Sequence, residues 1–310
     1  MFSNERILIL GASGQDGTLI RKFLKNSKTV SISKEPLKNF GNFEDVQIKI
    51  GHYNTPEITE VINKYNPKYI LNFSGLSSVA ESESNPEKSY ELNYLQVTKI
   101  VAAIKNARLK DYIFMQCSSS EIFGKGVLKC NESRQMTPVT VYGKHKAQAM
   151  DFLKSTIGDH LLNLILFNHE SEYRSEKFVS KKIINGILRY QETGEQISIG
   201  NVNSARDWSY APDFILGMIN LLKANKIGDF VFGSGTSRTV MEFALLVMKI
   251  SKIELDFNKL FKIDDSFFRK VETPALVADS SKYIQEFSNL NNYTFEEMAE
   301  IMFLRTKWQK

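Results

Sequence analysis

A tyrosine and a lysine four residues apart, Tyr142 and Lys146, sit at the start of a predicted helix over 141–157. Residues at that spacing share a helix face. An ammonium group beside a phenol favours the phenolate, so such a pair can serve as a base near neutral pH. The same spacing recurs at Tyr173 and Lys177, and position separates the two. Tyr142 falls between the fifth and sixth predicted strands, whereas Tyr173 falls beyond the sheet. Upstream lies Cys117-Ser118-Ser119-Ser120-Glu121, directly after the fifth predicted strand. A hydroxyl at Ser119 can orient or relay a substrate proton. Glu121 adds a carboxylate that a hydroxyl–tyrosine–lysine oxidoreductase does not need, and that can take a proton alpha to a ketone.

The second constellation is Gly11-Ala-Ser13-Gly14-Gln15-Asp16-Gly17. It separates an apolar run, 6–10, from a segment of helical spacing, 15–26. Gly11 permits a tight turn, Gly14 lets the backbone approach a pyrophosphate, and Gly17 lets helix and strand pack closely. The helix N-terminus then offers its amide donors to the phosphates. The second predicted strand ends at Ser33-Lys34, where a site selective for NAD would want a carboxylate. A hydroxyl and a lysine suit a 2′-phosphate instead, which favours NADP over NAD, although Glu35 is close by.

These residues need elements to hold them. Strands are expected at 6–10, 28–33, 46–50, 69–73, 111–117 and 161–167. Helices are expected at 15–26, 56–65, 87–107 and 141–157. That alternation implies an α/β fold, a doubly wound parallel sheet of Rossmann-like type. After Asn168 the rhythm breaks. Helices are expected at 176–192, 211–224, 239–250 and 294–306, and a strand at 229–232. The expected organisation is a dinucleotide-binding domain over 1–167, to which 206–233 returns, and a second, smaller lobe from 168–205 and 234–310.

Composition narrows the classes. The chain has 310 residues, 42% hydrophobic and 24% charged, with a formal charge of +5. That mild, scattered excess argues for no nucleic-acid partner. The two cysteines, Cys117 and Cys130, have no metal-ligand or disulfide spacing, so no metal is expected and a cytoplasmic location is. No apolar run has the length of a membrane span, so no membrane partner is expected.

Taken together, these motifs resemble those of the GDP-mannose 4,6-dehydratase family, extended short-chain dehydrogenases. The similar stretches are the glycine loop, Ser118 to Glu121 (with Ser119 replacing threonine), Phe167-Asn168-His169-Glu170-Ser171, Phe178-Val179 with Lys182, Ile199-Gly200-Asn201, Arg206-Asp207-Trp208, Phe268-Arg269 with Glu272, and Asp279 with Lys282. The resemblance implies catalysis by Ser119, Glu121, Tyr142 and Lys146. It implies a cofactor site with His169 beside the loop residues, Tyr142 and Lys146. It also implies a GDP-sugar site at Ser78, Asn168, Val179, Lys182, Gly200, Arg206, Arg269 and Glu272. The implied reaction oxidises C4, eliminates water across C5 and C6, and returns the hydride to C6. Departures are visible. Gly51-His52-Tyr53 stands where the family has Gly-Asp-Leu, Ser78 where it has histidine, and Tyr173 where it has arginine. The loop after the second strand is short, so a homodimer is expected over a tetramer. A GDP-heptose of manno configuration is an alternative substrate. A reductase or epimerase without elimination, and a non-catalytic sensor, are alternative functions.

Overall fold

The structure, a computed structural model, describes residues 2, 5–40, 45–124, 129–268 and 275–308. It divides into two units. The first comprises 1–125, 132–166 and 215–231, and the second 126–131, 167–214 and 232–310. Of the segment expected to return to the sheet, 215–231 lies in the first unit, and 206–214 and 232–233 lie in the second.

The first unit is built on a seven-stranded sheet. Its strands are β1 (Arg6–Leu10), β2 (Lys28–Ser33), β3 (Asp45–Lys49), β4 (Tyr69–Asn72), β5 (Ile113–Ser119), β6 (Leu161–Leu166) and β7 (Gly228–Phe232). The spatial order is β7-β6-β5-β4-β1-β2-β3, and the pairings from β3 across to β6 are parallel. Strand order reverses between β1 and β4, the place where open α/β sheets bind ligands at their carboxyl ends. The helices of this unit are α1 (Gln15–Phe23), α2 (Thr55–Tyr65), α3 (Val79–Ser84), α4 (Pro86–Tyr90), α5 (Gln96–Asn106) and α6 (Val141–Ile157). Leu8, Leu10, Val30 and Ile70 on the sheet pack with Ile58, Ile100, Ile104 and Leu153 from α2, α5 and α6. Each such side chain, fully buried, contributes about 1.5–3 kcal/mol.

The helix expected at 87–107 is interrupted. A π turn at Glu91–Leu95 joins α4 to α5. It points Asn93 and Gln96 toward the loop after β4: Leu76 N–H donates to Asn93 Oδ1 (3.1 Å), and Gln96 Nε2 donates to Ser74 Oγ (2.7 Å). Such turns often mark functional sites, and here the turn fixes the loop beside the β1–β4 crevice.

In the second unit, α7 (Val179–Thr193) and α9 (Val240–Ile250) pack with the terminal helix Phe295–Trp308 around Ile183, Ile187, Trp208, Phe243 and Met302. Between them in sequence, Ala211–Lys223 forms α8.

Candidate active site

The glycine loop follows β1 directly. Gly11 has φ +76°, and a Cβ there would lie 2.7 Å from Ser74 N, just past β4. Gly17 is equally constrained, since its Cβ would lie 2.3 Å from Gly11 O. Gly14 is the N-cap of α1 and gives the helix no side-chain cap. Ser13 and Gly14 are exposed. A turn this tight, ending in helix amides that no capping side chain covers, fits a dinucleotide pyrophosphate. On the side where the adenosine end would lie, the Ser33 hydroxyl donates to the Glu35 carbonyl. Lys34 and His52 are exposed.

Ser119 ends β5, and its Oγ accepts from Glu121 N–H (3.3 Å). Thr140 caps α6. Its Oγ1 accepts from Gly143 N–H (3.0 Å) and donates to Glu121 Oε2 (3.3 Å). The closeness of α6 to the Ser-Glu segment requires glycine at 143: a Cβ there would lie 2.5 Å from Glu121 O. The α6 N-terminus is held from another side by Glu83 of α3, whose Oε1 accepts from Val141 N–H (2.7 Å). Tyr142 and Lys146 are both buried, and the Lys146 Nζ lies 5.9 Å from the Tyr142 ring centre. Lys146 Nζ donates to the Cys117 carbonyl at 2.8 Å. Burial holds the Lys146 ammonium below the ordinary lysine value, opposed by the nearby charge of Asp16. Burial pushes the Cys117 thiol upward, so it stays protonated. Ser119, Glu121, Tyr142 and Lys146 thus gather at the β5–α6 junction. A hydroxyl, a carboxylate, a phenol and an ammonium group are thereby brought to one strand–helix junction.

Ser78 is spent locally, its Oγ capping α3 by accepting from Glu81 N–H (3.2 Å).

Other expected residues fall in the second unit. Asn168 and His169 lie on a short strand paired with Trp208–Tyr210. His169 Nδ1 is 2.7 Å from the Phe167 carbonyl oxygen, and its ring packs on Phe214. Val179 and Lys182 are one turn apart on α7. Lys182 Nζ lies 3.1 Å above the Phe267 ring, and Gly200 lets that segment close in, its Cβ position being 3.0 Å from Phe267 Cβ. Burial lowers Lys182, with Asp264 opposing and Arg189 assisting. Arg206 pairs with Arg238 across two antiparallel strands. Its neighbour Asp207 is a knot, accepting from Ser234 N–H and Oγ–H, Gly235 N–H and Ala278 N–H at 2.7–2.9 Å. Trp208 stacks on Phe243 and donates its indole N–H to the Arg238 carbonyl (2.9 Å). Lys182 and Gly200 are therefore brought together through Phe267. Arg269 and Glu272 lie outside the described residues.

Sequence reasoning missed Thr140, Gly143, Glu83 and Tyr53. Thr140 carries a readable signal, an N-cap residue just before a helical run. The other three act through contacts that only the fold creates.

Comparison with known proteins places the chain in a family and a fold. The profile of the GDP-mannose 4,6 dehydratase family matches residues 8–302. The chain belongs to that family. A GDP-mannose 4,6 dehydratase of Drosophila melanogaster is 26% identical over 337 residues, covering 95% of this chain and 84% of the relative. Among solved structures, MoeE5 in complex with UDP-glucuronic acid and NAD superposes with a TM-score of 0.86 at 17% identity, covering 98% of this chain and 100% of that one. RMD from Pseudomonas aeruginosa complexed with NADPH gives 0.81 at 17% identity, covering 99% and 100%. These likenesses show a shared fold. Among the described residues, no helix is long and apolar enough to cross a membrane, and no group of His, Cys, Asp and Glu is arranged to hold a metal ion.

Proposed function

We propose that this family member is a GDP-sugar 4,6-dehydratase, converting GDP-mannose, or the related GDP-manno-heptose, to the 4-keto-6-deoxy sugar nucleotide. The observation that carries the reading is Glu121, a carboxylate bonded to the cap of the helix that bears Tyr142 and Lys146. A reductase or epimerase has no use for it.

In this reading Gly11, Ser13, Gly14, Gln15, Asp16 and Gly17 would hold a nicotinamide dinucleotide, which would supply the redox chemistry as hydride acceptor at C4 and hydride donor at C6. Tyr142 takes the proton of the sugar 4-hydroxyl, helped by the adjacent Lys146 charge, and Ser119 orients the 4-oxygen. The resulting ketone acidifies C5–H, and Glu121 removes that proton. Glu121 then hands a proton to the departing 6-hydroxyl, which leaves as water. Tyr142 delivers a proton to C5. Asn168, Lys182, Arg206 and Arg269 hold the diphosphate or nucleotide, because charge-assisted bonds suit those oxygens. Val179 packs on the base and Glu272 binds the ribose. Ser33 and Lys34 favour NADP over NAD, and the active form is a homodimer.

The test is incubation with GDP-mannose and with GDP-manno-heptose, each with NADP or NAD, followed by mass spectrometry. Loss of one water from either sugar supports the reading, and unchanged mass in every arm overturns it. Glu121→Gln is expected to lower turnover by roughly 10²-fold or more, with cofactor binding retained.

A further inference from the structure

After the third strand this chain has His52 and Tyr53. The two side chains part company. His52 is exposed, and Tyr53 is buried, 7% accessible. The Tyr53 hydroxyl accepts the Gly11 N–H at 2.8 Å and lies 3.5 Å from the Ile32 carbonyl oxygen. Burial pushes the phenol up to about 12, so it stays protonated and remains able to donate while it accepts. The Ile32 carbonyl also receives Ala12 N–H (3.1 Å), and the Gly11 carbonyl receives Gly14 N–H (3.2 Å).

Gly11 is therefore clamped on both sides, by Tyr53 on its N–H and by Gly14 on its C=O. A clamp is needed there because glycine adopts positive and negative φ with similar ease. Gly11 holds φ +76° against the backbone of Ser74, and its orientation sets the direction of the amides from Ser13 to Gln15. We infer that Tyr53 is a positioning residue for the dinucleotide site, its hydroxyl locking the first turn of the glycine loop in the shape that receives a pyrophosphate. The assignment rests on reading that loop as a nicotinamide-dinucleotide site.

Tyr53→Phe removes one oxygen and keeps the ring. Tyr69→Phe is a matched control: that residue, the first of β4, is also a buried tyrosine of the first unit, and its hydroxyl donates to Asn225 Oδ1 at 3.0 Å, away from the loop. Affinities for NADPH, NADH and ADP-ribose are measured by calorimetry, with melting temperatures alongside to confirm folding. In Tyr53→Phe, the affinity for the preferred dinucleotide and for ADP-ribose is expected to fall by roughly tenfold, since a buried N–H loses its acceptor. At saturating cofactor, KM for the sugar nucleotide stays unchanged. Tyr69→Phe is expected to lower only the melting temperature. Equal cofactor affinity in Tyr53→Phe and wild type, or equal weakening in both variants, overturns the assignment and leaves the dehydratase reading standing. A wild-type chain that binds no dinucleotide overturns both.

Discussion

Lys146 holds its charge in a buried place, and that has a measurable price. Burial depresses its ammonium below the ordinary value near 10.4, so the folded chain gives up that proton before the unfolded chain does. The charged form thus weakens the fold at neutral pH, and the penalty fades as pH rises through the depressed value toward the unfolded one. In the proposed mechanism activity runs the other way, because the lost proton removes the charge assigned there to assist Tyr142. The alkaline limb of kcat/KM is expected below the ordinary lysine pKa, and Lys146→Arg should move it upward. Lys146→Met should lose ~10²-fold or more in kcat while melting no lower than wild type at pH 7. A clear fall in melting temperature for Lys146→Met would show that the bond to the Cys117 carbonyl outweighs the desolvation of the charge.

At the scale of elements, α6 is placed by what its first turn touches. Alanine at 143 would gain helix propensity, about 1 kcal/mol over glycine. Its Cβ, however, would sit 2.5 Å from Glu121 O and 3.0 Å from Thr140 Oγ1, and overpacking of that kind costs about 1–3 kcal/mol. The clash wins, because the atoms it meets are backbone and a cap already engaged. Gly143→Ala is expected to be less stable than wild type in urea titrations and to lose turnover as α6 shifts from Glu121. A gain in stability would mean that α6 can move without cost. Glu83→Ala should lose about 1 kcal/mol through the same turn. This is also where the legibility of the sequence divides. Tyr142 with Lys146, and Ser119 with Glu121, were readable because their spacing is local and the strand–helix rhythm placed them. The π turn at Glu91–Leu95 was not, because the apolar period of 87–107 continues through it and what sets it is Asn93 and Gln96 reaching a loop after β4. Tyr53 was seen only as a departure from a pattern. Its partner Gly11 lies 42 residues away and meets it only because β1, β2 and β3 are neighbours.

At the scale of the molecule, the residues fall into two sets by unit: the proposed cofactor loop and proposed proton-transfer groups in the first, most proposed nucleotide-holding groups in the second. The second unit has its own core and its own polar knot at Asp207. Burial raises that carboxyl while the bonds from Ser234, Ala278 and Gly235 oppose the rise. Cutting the carboxylate back to a methyl strands those donors together, each at about 1–3 kcal/mol where it stays buried. Asp207→Ala should therefore loosen 205–210, 233–235 and 277–278, and with them Arg206, without touching Gly11–Gly17 or Lys146. Calorimetry with the preferred dinucleotide and with GDP is the discriminating measurement. GDP affinity is expected to fall by at least tenfold in the variant, about 1.4 kcal/mol, while dinucleotide affinity stays within about twofold. Parallel losses of both ligands would show that the two sets of residues do not bind independently, and unchanged GDP affinity would remove Arg206 from the nucleotide site.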